Sequence, residues 1–295
     1  MKVLVGGSTG LVGEALVKAI AAKQHEFTRL VRSGSDGLKW DASTYTLDNP
    51  AALADFDAVV HLGGESIIGR WSATKKQRIR DSRVKSTAAL AEALAQLDQP
   101  PATLILASAT GYYGNRGDTE LTEDSSLGEG FLADVCKEWE AAADPARAAG
   151  IRVVHLRYAM LLSPDGGALK TMLPPFKLGL GGKIATGKQY MSWASLDDAV
   201  QAILFALETP ALEGPINVVS PNSCTNEAFT RALGRVLRRP TIFPVPAFAA
   251  RLAFGEMADA LLMTSQRVLP SRLAANGYTF KHPELEPALR DLLNQ

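Results

Sequence analysis

The chain has 295 residues, room for one large domain or two smaller ones, and its 46% hydrophobic and 21% charged composition suits a globular protein. Thirty-one basic residues balance thirty-one acidic ones, so no net field recruits nucleic acid or an anionic membrane surface. Two distant cysteines, Cys136 and Cys224, argue against a disulfide framework or a metal site; without a signal-peptide pattern or an 18-residue apolar run, the expected home is the cytoplasm.

In chain order, residues 2–5 read as a short buried strand and 11–22 as an alanine- and leucine-rich helix. Strands follow at 26–32 and 58–62, then one long helix over 72–96, a strand at 103–107, a helix over 131–149 and a strand at 151–157. Short apolar strands alternating with helices predict βαβ units and a parallel sheet covered on both faces. The six cations Lys75, Lys76, Arg78, Arg80, Arg83 and Lys85 read as a solvated face of the long helix. Residues 163–190 are rich in glycine and proline and read as loop. A helix over 195–208 with two acids in its first turn, a strand at 214–220 and a capped helix over 225–240 precede helices and turns to the end. The expected division is a nucleotide-binding sheet domain over 1–165 that also receives about 187–220. A smaller, mostly helical substrate lobe takes 166–186 and 221–295.

Between the first strand and the first helix lies "GGSTGLVG". Gly7 permits a tight turn, Gly10 lets a pyrophosphate approach the backbone, and Gly13 lets the helix pack close to the sheet. The helix N-terminus then offers N–H groups and a positive dipole end to phosphates. The context of strand before and helix after is the one a dinucleotide site requires. At the end of the second strand, "TRLVRSGS" presents Arg32 and Ser33, and the next acid is Asp36. A base here accommodates the 2′-phosphate of NADP, so NADP(H) is the expected cofactor.

"LILASATGYYGNRG" packs Ser108, Thr110, Tyr112 and Tyr113 at the end of a buried strand, where open α/β sheets bind ligands. "VGGSTGLVG", "AVVHLGGES", "LASATGYYG" and "LRYAMLLSPDGG" together resemble the extended short-chain dehydrogenase/reductases. They are most similar to the atypical subgroup known as epimerase-family or nucleoside-diphosphate-sugar-epimerase-like proteins. The resemblance covers essentially the whole chain and implies a Rossmann-type doubly wound α/β fold with a helical C-terminal substrate lobe. By the same resemblance, Gly7, Ser8, Thr9, Gly10, Leu11, Val12 and Gly13 cradle the pyrophosphate. Leu62, Gly63, Gly64 and Glu65 lie along the adenosine ribose and phosphates, Arg83 reaches the phosphates from the long helix, and Tyr158 and Met160 meet the nicotinamide side.

Proton transfer in this superfamily uses Tyr-x-x-x-Lys, with a serine or threonine at the preceding strand end. Ser108 and Thr110 are present, but Phe131 and Val135 occupy the tyrosine and lysine positions, and Lys137 points elsewhere on the helix. The acid then falls to Tyr112 or Tyr113, tuned by a nearby cation such as Lys137, or the chemistry is slight. Trp71, Lys183, Tyr190 and Trp193 are the candidate substrate contacts. Two readings stay open: an NADP-dependent oxidoreductase or epimerase acting on a small carbonyl compound or a nucleotide sugar, and an NADP(H)-binding sensor without turnover. A homodimer is an open possibility of the resemblance.

Overall fold

A computed structural model describes residues 1–33, 37–41 and 44–295; Asp36 lies outside the described residues. The chain forms strands β1 (Lys2–Gly6), β2 (Glu26–Val31), β3 (Leu38–Asp41), β4 (Thr46–Leu47), β5 (Ala58–His61), β6 (Thr103–Ala109), β7 (Glu120–Leu121), β8 (Arg152–Tyr158), β9 (Met160–Leu162), β10 (Tyr190–Met191), β11 (Trp193–Ser195), β12 (Gly214–Val218), β13 (Cys224–Thr225) and β14 (Arg267–Val268). Its helices are α1 (Leu11–Ala22), α2 (Ala73–Ala95), α3 (Phe131–Ala141), α4 (Asp144–Ala148), α5 (Gly167–Lys177), α6 (Leu196–Glu208), α7 (Asn226–Leu237), α8 (Ala247–Phe254), α9 (Ser271–Ala275) and α10 (Leu285–Leu293).

Among the described residues the main sheet has eight strands in the order β12-β8-β6-β5-β1-β2-β3-β4. Every pairing is parallel except the β3–β4 edge. The chain moves outward one way from β1 through β2 and β3, then returns to β5 and continues the other way. That reversal leaves a crevice above the carboxyl ends of β1 and β5.

The two-residue period of a strand sorts the core into two layers. Val3, Val5, Val60, Ile105 and Val154 face α1 and α6, while Leu4, Val59, Leu104, Leu106 and Val153 face α2 and α4. Helix α1 buries Gly13, Leu16, Val17 and Ile20, the spacing of a single helical stripe. A third cluster joins α5, α7 and α10 around Trp193 and Phe229, making the core of a second, mostly helical lobe.

Two helices depart from the sequence reading. The proposed helix over 131–149 is two helices, because Pro145 sits in the first turn of α4, where its missing N–H costs nothing. The glycine- and proline-rich stretch contains α5, with Pro174 and Pro175 inside it. Leu169, Leu173 and Phe176 recur on one face and are buried, so packing outweighs the hydrogen bonds the prolines forgo.

Candidate functional site

A cleft of about 960 Å³ opens above β1 and β5. Its floor is the glycine turn. Gly7 has φ +74°, and a Cβ there would stand 2.7 Å from the Gly63 nitrogen, so the turn and the Leu62–Gly63 loop touch backbone to backbone. A Cβ on Gly13 would stand 2.2 Å from the Gly7 carbonyl oxygen, which is how closely α1 presses against the turn. The Gly10 N–H donates to that same oxygen at 3.0 Å, and a Cβ added at Gly10 would make only ordinary contact with it, at 3.4 Å. Arg29, from β2, donates to the Ser8 carbonyl at 3.1 Å and pins the loop from the side. Ser8, Thr9 and Gly10 line the opening; Leu11 packs against Gly166, and Val12 joins the core beneath, so both support the turn from behind.

The second wall is the loop after β5. His61 is 5% exposed, and burial lowers its pKa to about 4, so the ring is neutral. Ser86 Oγ lies 2.7 Å from the Ser82 carbonyl and 3.2 Å from His61 Nε2. The hydroxyl donates to the carbonyl and accepts from Nε2–H. The bare Gly6 and Gly63 make room for the ring, since a Cβ at either position would fall within 3 Å of it. Arg83 rises from α2 to donate to the Glu65 carbonyl at 3.0 Å, its guanidinium lies against Gly64 and over the Trp139 ring, and burial lowers its pKa. It holds the loop in shape and does not open into the cleft.

Arg32 and Ser33 are exposed at the rim, at the end of β2. The same cleft is lined by Gln77, Arg78, Asp81, Ser82 and Ser86 from α2, and by Trp40 and Tyr45 from β3 and the turn after it, which meet edge to face at 6.1 Å between centroids. The sequence reading assigned none of these last seven to the site, and took Arg78 for part of a solvated helix face. The α2 residues fall at three- and four-residue spacings, the only signal that would have joined them on one face.

The hydroxyl-rich stretch at the end of β6 is a buried network. Ser108 Oγ donates to Glu140 at 2.7 Å, and Arg157 donates to both oxygens of that carboxylate, at 2.8 and 2.7 Å. Arg157 also donates to the Tyr113 hydroxyl at 2.9 Å, which in turn donates to Asn217 at 2.7 Å. The guanidinium lies 3.6 Å from the centre of the Tyr112 ring. Burial alone would raise the Glu140 pKa, but the bonds and charge of Arg157 hold it below the usual carboxylate range. Burial raises the Tyr113 pKa further than Arg157 lowers it. The cation beside the tyrosines is therefore Arg157; Lys137 is exposed on α3. Ser108 and Tyr113 are both buried with their hydroxyls committed, Thr110 is buried, and Tyr112 is the half-buried member whose hydroxyl faces no protein partner among the described residues.

Helix α3 settles which positions face the strand end. Leu132 and Cys136 stand closest to Gly111, the Cys136 thiol lies 3.7 Å from the Ala109 carbonyl, and Glu140 meets Ser108. The facing stripe is thus 132, 136 and 140, one residue on from the 131 and 135 of the sequence reading. Phe131 instead packs edge to face on Trp71 at 5.3 Å, and Val135 is core. In either register no tyrosine and no lysine is present, and burial together with Glu140 pushes the Cys136 thiol up to about 12.

The remaining predicted residues scatter. Tyr158 Oη is buried without a hydrogen-bond partner, and Met160 packs into the second-lobe cluster. Trp193 is fully buried, with its indole N–H donating to the Asn222 carbonyl at 3.0 Å; it is core and offers a ligand no surface. Lys183 pairs loosely with Glu227 at 3.5 Å, and Tyr190 lies under Arg267. Trp71 donates to the Ile67 carbonyl at 2.7 Å within its own loop, and that loop reaches the second lobe, where Arg70 bonds the Leu252 carbonyl. Among the described residues no His, Cys, Asp or Glu group is arranged to hold a metal ion, and no helix is long and apolar enough to cross a membrane.

Residues 3–219 match the NAD dependent epimerase/dehydratase family, and residues 245–292 match a domain of unknown function. The chain is 46% identical over 291 residues to the epimerase family protein Mb2239 of Mycobacterium bovis, covering 97% of this chain and 96% of that one. The crystal structure of human epimerase family protein SDR39U1 (isoform2) with NADPH superposes with a TM-score of 0.91 at 35% identity over the whole of both chains. A nucleoside-diphosphate sugar epimerase from Corynebacterium glutamicum gives 0.82 at 34% identity, with this chain spanning 58% of its length. The chain belongs to the NAD dependent epimerase/dehydratase family.

Proposed function

We propose that this member of the NAD dependent epimerase/dehydratase family binds NADP(H) in the cleft above β1 and β5. The observation that carries the reading is the cradle of bare glycine backbone, closed by Gly7 against Gly63 and by Gly13 against Gly7, with Arg32 and Ser33 at its rim. The human relative's structure with NADPH supports it. Gly7, Ser8, Thr9 and Gly10, ahead of the α1 N-terminus, would receive the pyrophosphate, and Leu62 to Glu65 the adenosine side. Trp40 and Tyr45 offer the adenine an apolar wall, and Arg32 and Ser33 would take the 2′-phosphate. The nicotinamide supplies a hydride when the cofactor is bound.

Calorimetry with NADPH and NADH tests this. NADPH should bind more tightly, and Arg32→Ala should weaken NADPH about tenfold while sparing NADH, the worth of one charge-assisted contact. Equal affinities in the parent protein would overturn the cofactor assignment.

A second reading concerns turnover. The α3 face that a tyrosine–lysine pair would occupy carries Leu132 and Cys136. This favours cofactor binding without the usual side-chain proton relay, in a sensor or in an oxidoreductase whose proton comes from its substrate or water. Incubation with NADP and a panel of UDP-sugars should yield no epimerised product; accumulation of one would sink this reading.

A further inference from the structure

Helix α2 carries six cations near the cleft, and the structure sorts them. Lys75 meets Glu65 at 2.6 Å, Lys76 meets Glu256 at 2.6 Å, Arg80 meets Glu138 at 3.2 Å and Lys85 meets Asp81 at 2.8 Å. Arg83 turns inward to backbone carbonyls. Arg78 is left with a single distant contact, 3.7 Å to the same Glu65 oxygen that Lys75 already holds. Its side chain is 60% exposed, and it lines the cleft.

The charges facing the cleft make the same point. Its lining holds Arg32, Arg78, Glu65 and Asp81, with His61 neutral. Each of the two acids has its own lysine, and Asp81 also accepts from Gln77 at 2.7 Å. Counted with the two lysines that hold its acids, the lining carries two positive charges in excess: Arg32, at the end of β2, has no ion pair among the described residues, and Arg78, on α2, only shares Glu65 with Lys75. The pyrophosphate already has the glycine turn and the α1 N-terminus. A surplus of two planar cations suits a second, dianionic phosphate, which guanidinium forks bind in two-pronged fashion.

We propose that Arg78 is a second specificity-determining residue for the 2′-phosphate of NADP(H), acting from α2 as the counterpart of Arg32. The inference rests on the cofactor reading above and adds to it a residue from a different element. Exposure makes the contact inexpensive to form, because Arg78 has no strong partner to leave. It also makes the variant mild, because the one ion pair it gives up is to a carboxylate oxygen that Lys75 already holds.

The test is calorimetric titration of the parent protein, Arg78→Ala, Arg78→Lys and the Arg32→Ala/Arg78→Ala double variant, each with NADPH and with NADH. Arg78→Ala should bind NADPH about tenfold more weakly and NADH unchanged, and Arg78→Lys should fall between, since it keeps charge and loses the fork. The double variant should show little preference between the cofactors, and melting temperatures should match the parent. An NADPH affinity in Arg78→Ala equal to that of a parent that prefers NADPH would overturn this proposal alone. An equal loss for both cofactors would also overturn it, placing Arg78 on the pyrophosphate or ribose. No preference in the parent would overturn the cofactor reading, and this proposal with it.

Discussion

Ser108 shows how a residue chosen for chemistry can turn out to serve structure. Its hydroxyl is 2.7 Å from Glu140, and the Glu140 carboxylate is clamped by Arg157, with the two side chains 13% and 3% exposed. Breaking such a pair leaves one charge buried and uncompensated, at a cost of about 3–5 kcal/mol, whereas losing one hydroxyl that donates to a carboxylate costs about 1–3 kcal/mol. Glu140→Gln should therefore lower the denaturation midpoint more than Ser108→Ala, and Ser108→Ala should leave NADPH affinity within twofold. A collapse of NADPH binding in Ser108→Ala at unchanged stability would instead give the serine a direct part in holding the cofactor. Cys224 and Cys136 remain bystanders, since burial pushes both thiols up to about 12.

At the scale of elements, the turn between β1 and α1 separates two kinds of glycine. Gly13 is squeezed, with a Cβ position 2.2 Å from the Gly7 oxygen, while Gly10 has 3.4 Å of clearance and an extended φ of −82°. Gly13→Ala should push α1 off the sheet and destabilise the protein by about 1–3 kcal/mol, the usual cost of overpacking. Gly10→Ala should leave stability nearly unchanged and weaken NADPH, because the methyl intrudes only on the ligand's side. Equal midpoints for the two variants would refute the distinction. This turn was legible in the sequence because its glycines answer to one strand and one helix that are adjacent in the chain. The parallel sheet was legible for the same reason, since each βαβ unit announces itself locally. The rest was hidden where distance in the chain decides. Glu140 and Arg157 each look ordinary until α3 and β8 bring them together, and Arg78 looks solvated until its neighbours' partners are known. Helix α5 was hidden because two prolines outvoted the Leu169, Leu173 and Phe176 spacing that packing later favours.

Over the whole molecule, two buried histidines couple stability to pH. His61 lines the cofactor cleft and His155 sits in β8; they are 5% and 2% exposed, and burial brings each pKa from 6.5 to about 4. For His155, Glu140 opposes that fall and Arg147 and Arg157 assist it. Both rings are therefore neutral when folded. Between pH 6.5 and 4 the unfolded chain binds protons that the native state refuses, so stability rises with pH across this window and falls on acidification. The loss begins near pH 6.5 and, if it develops fully by pH 4, is on the order of 3 kcal/mol per ring. Glu140 does not confuse the upper part of the window, because its carboxyl is held below the usual range and its contribution fades only at lower pH. Urea midpoints should drop steadily from pH 7 to pH 5, and the slope should shrink by about half in whichever single histidine variant, His61→Asn or His155→Gln, retains a cooperative transition. Proton titration of the ring resonances gives an independent reading: both histidines should stay neutral at pH 5 in the folded protein. A flat stability profile from pH 7 to pH 5, or a ring that titrates near 6.5, would mean that water reaches these sites. His61 would then no longer be the dry, neutral wall on which Gly6 and Gly63 close. NADPH should deepen the contrast, since a ligand that binds only the folded chain adds stability at every pH at which the cleft holds its shape.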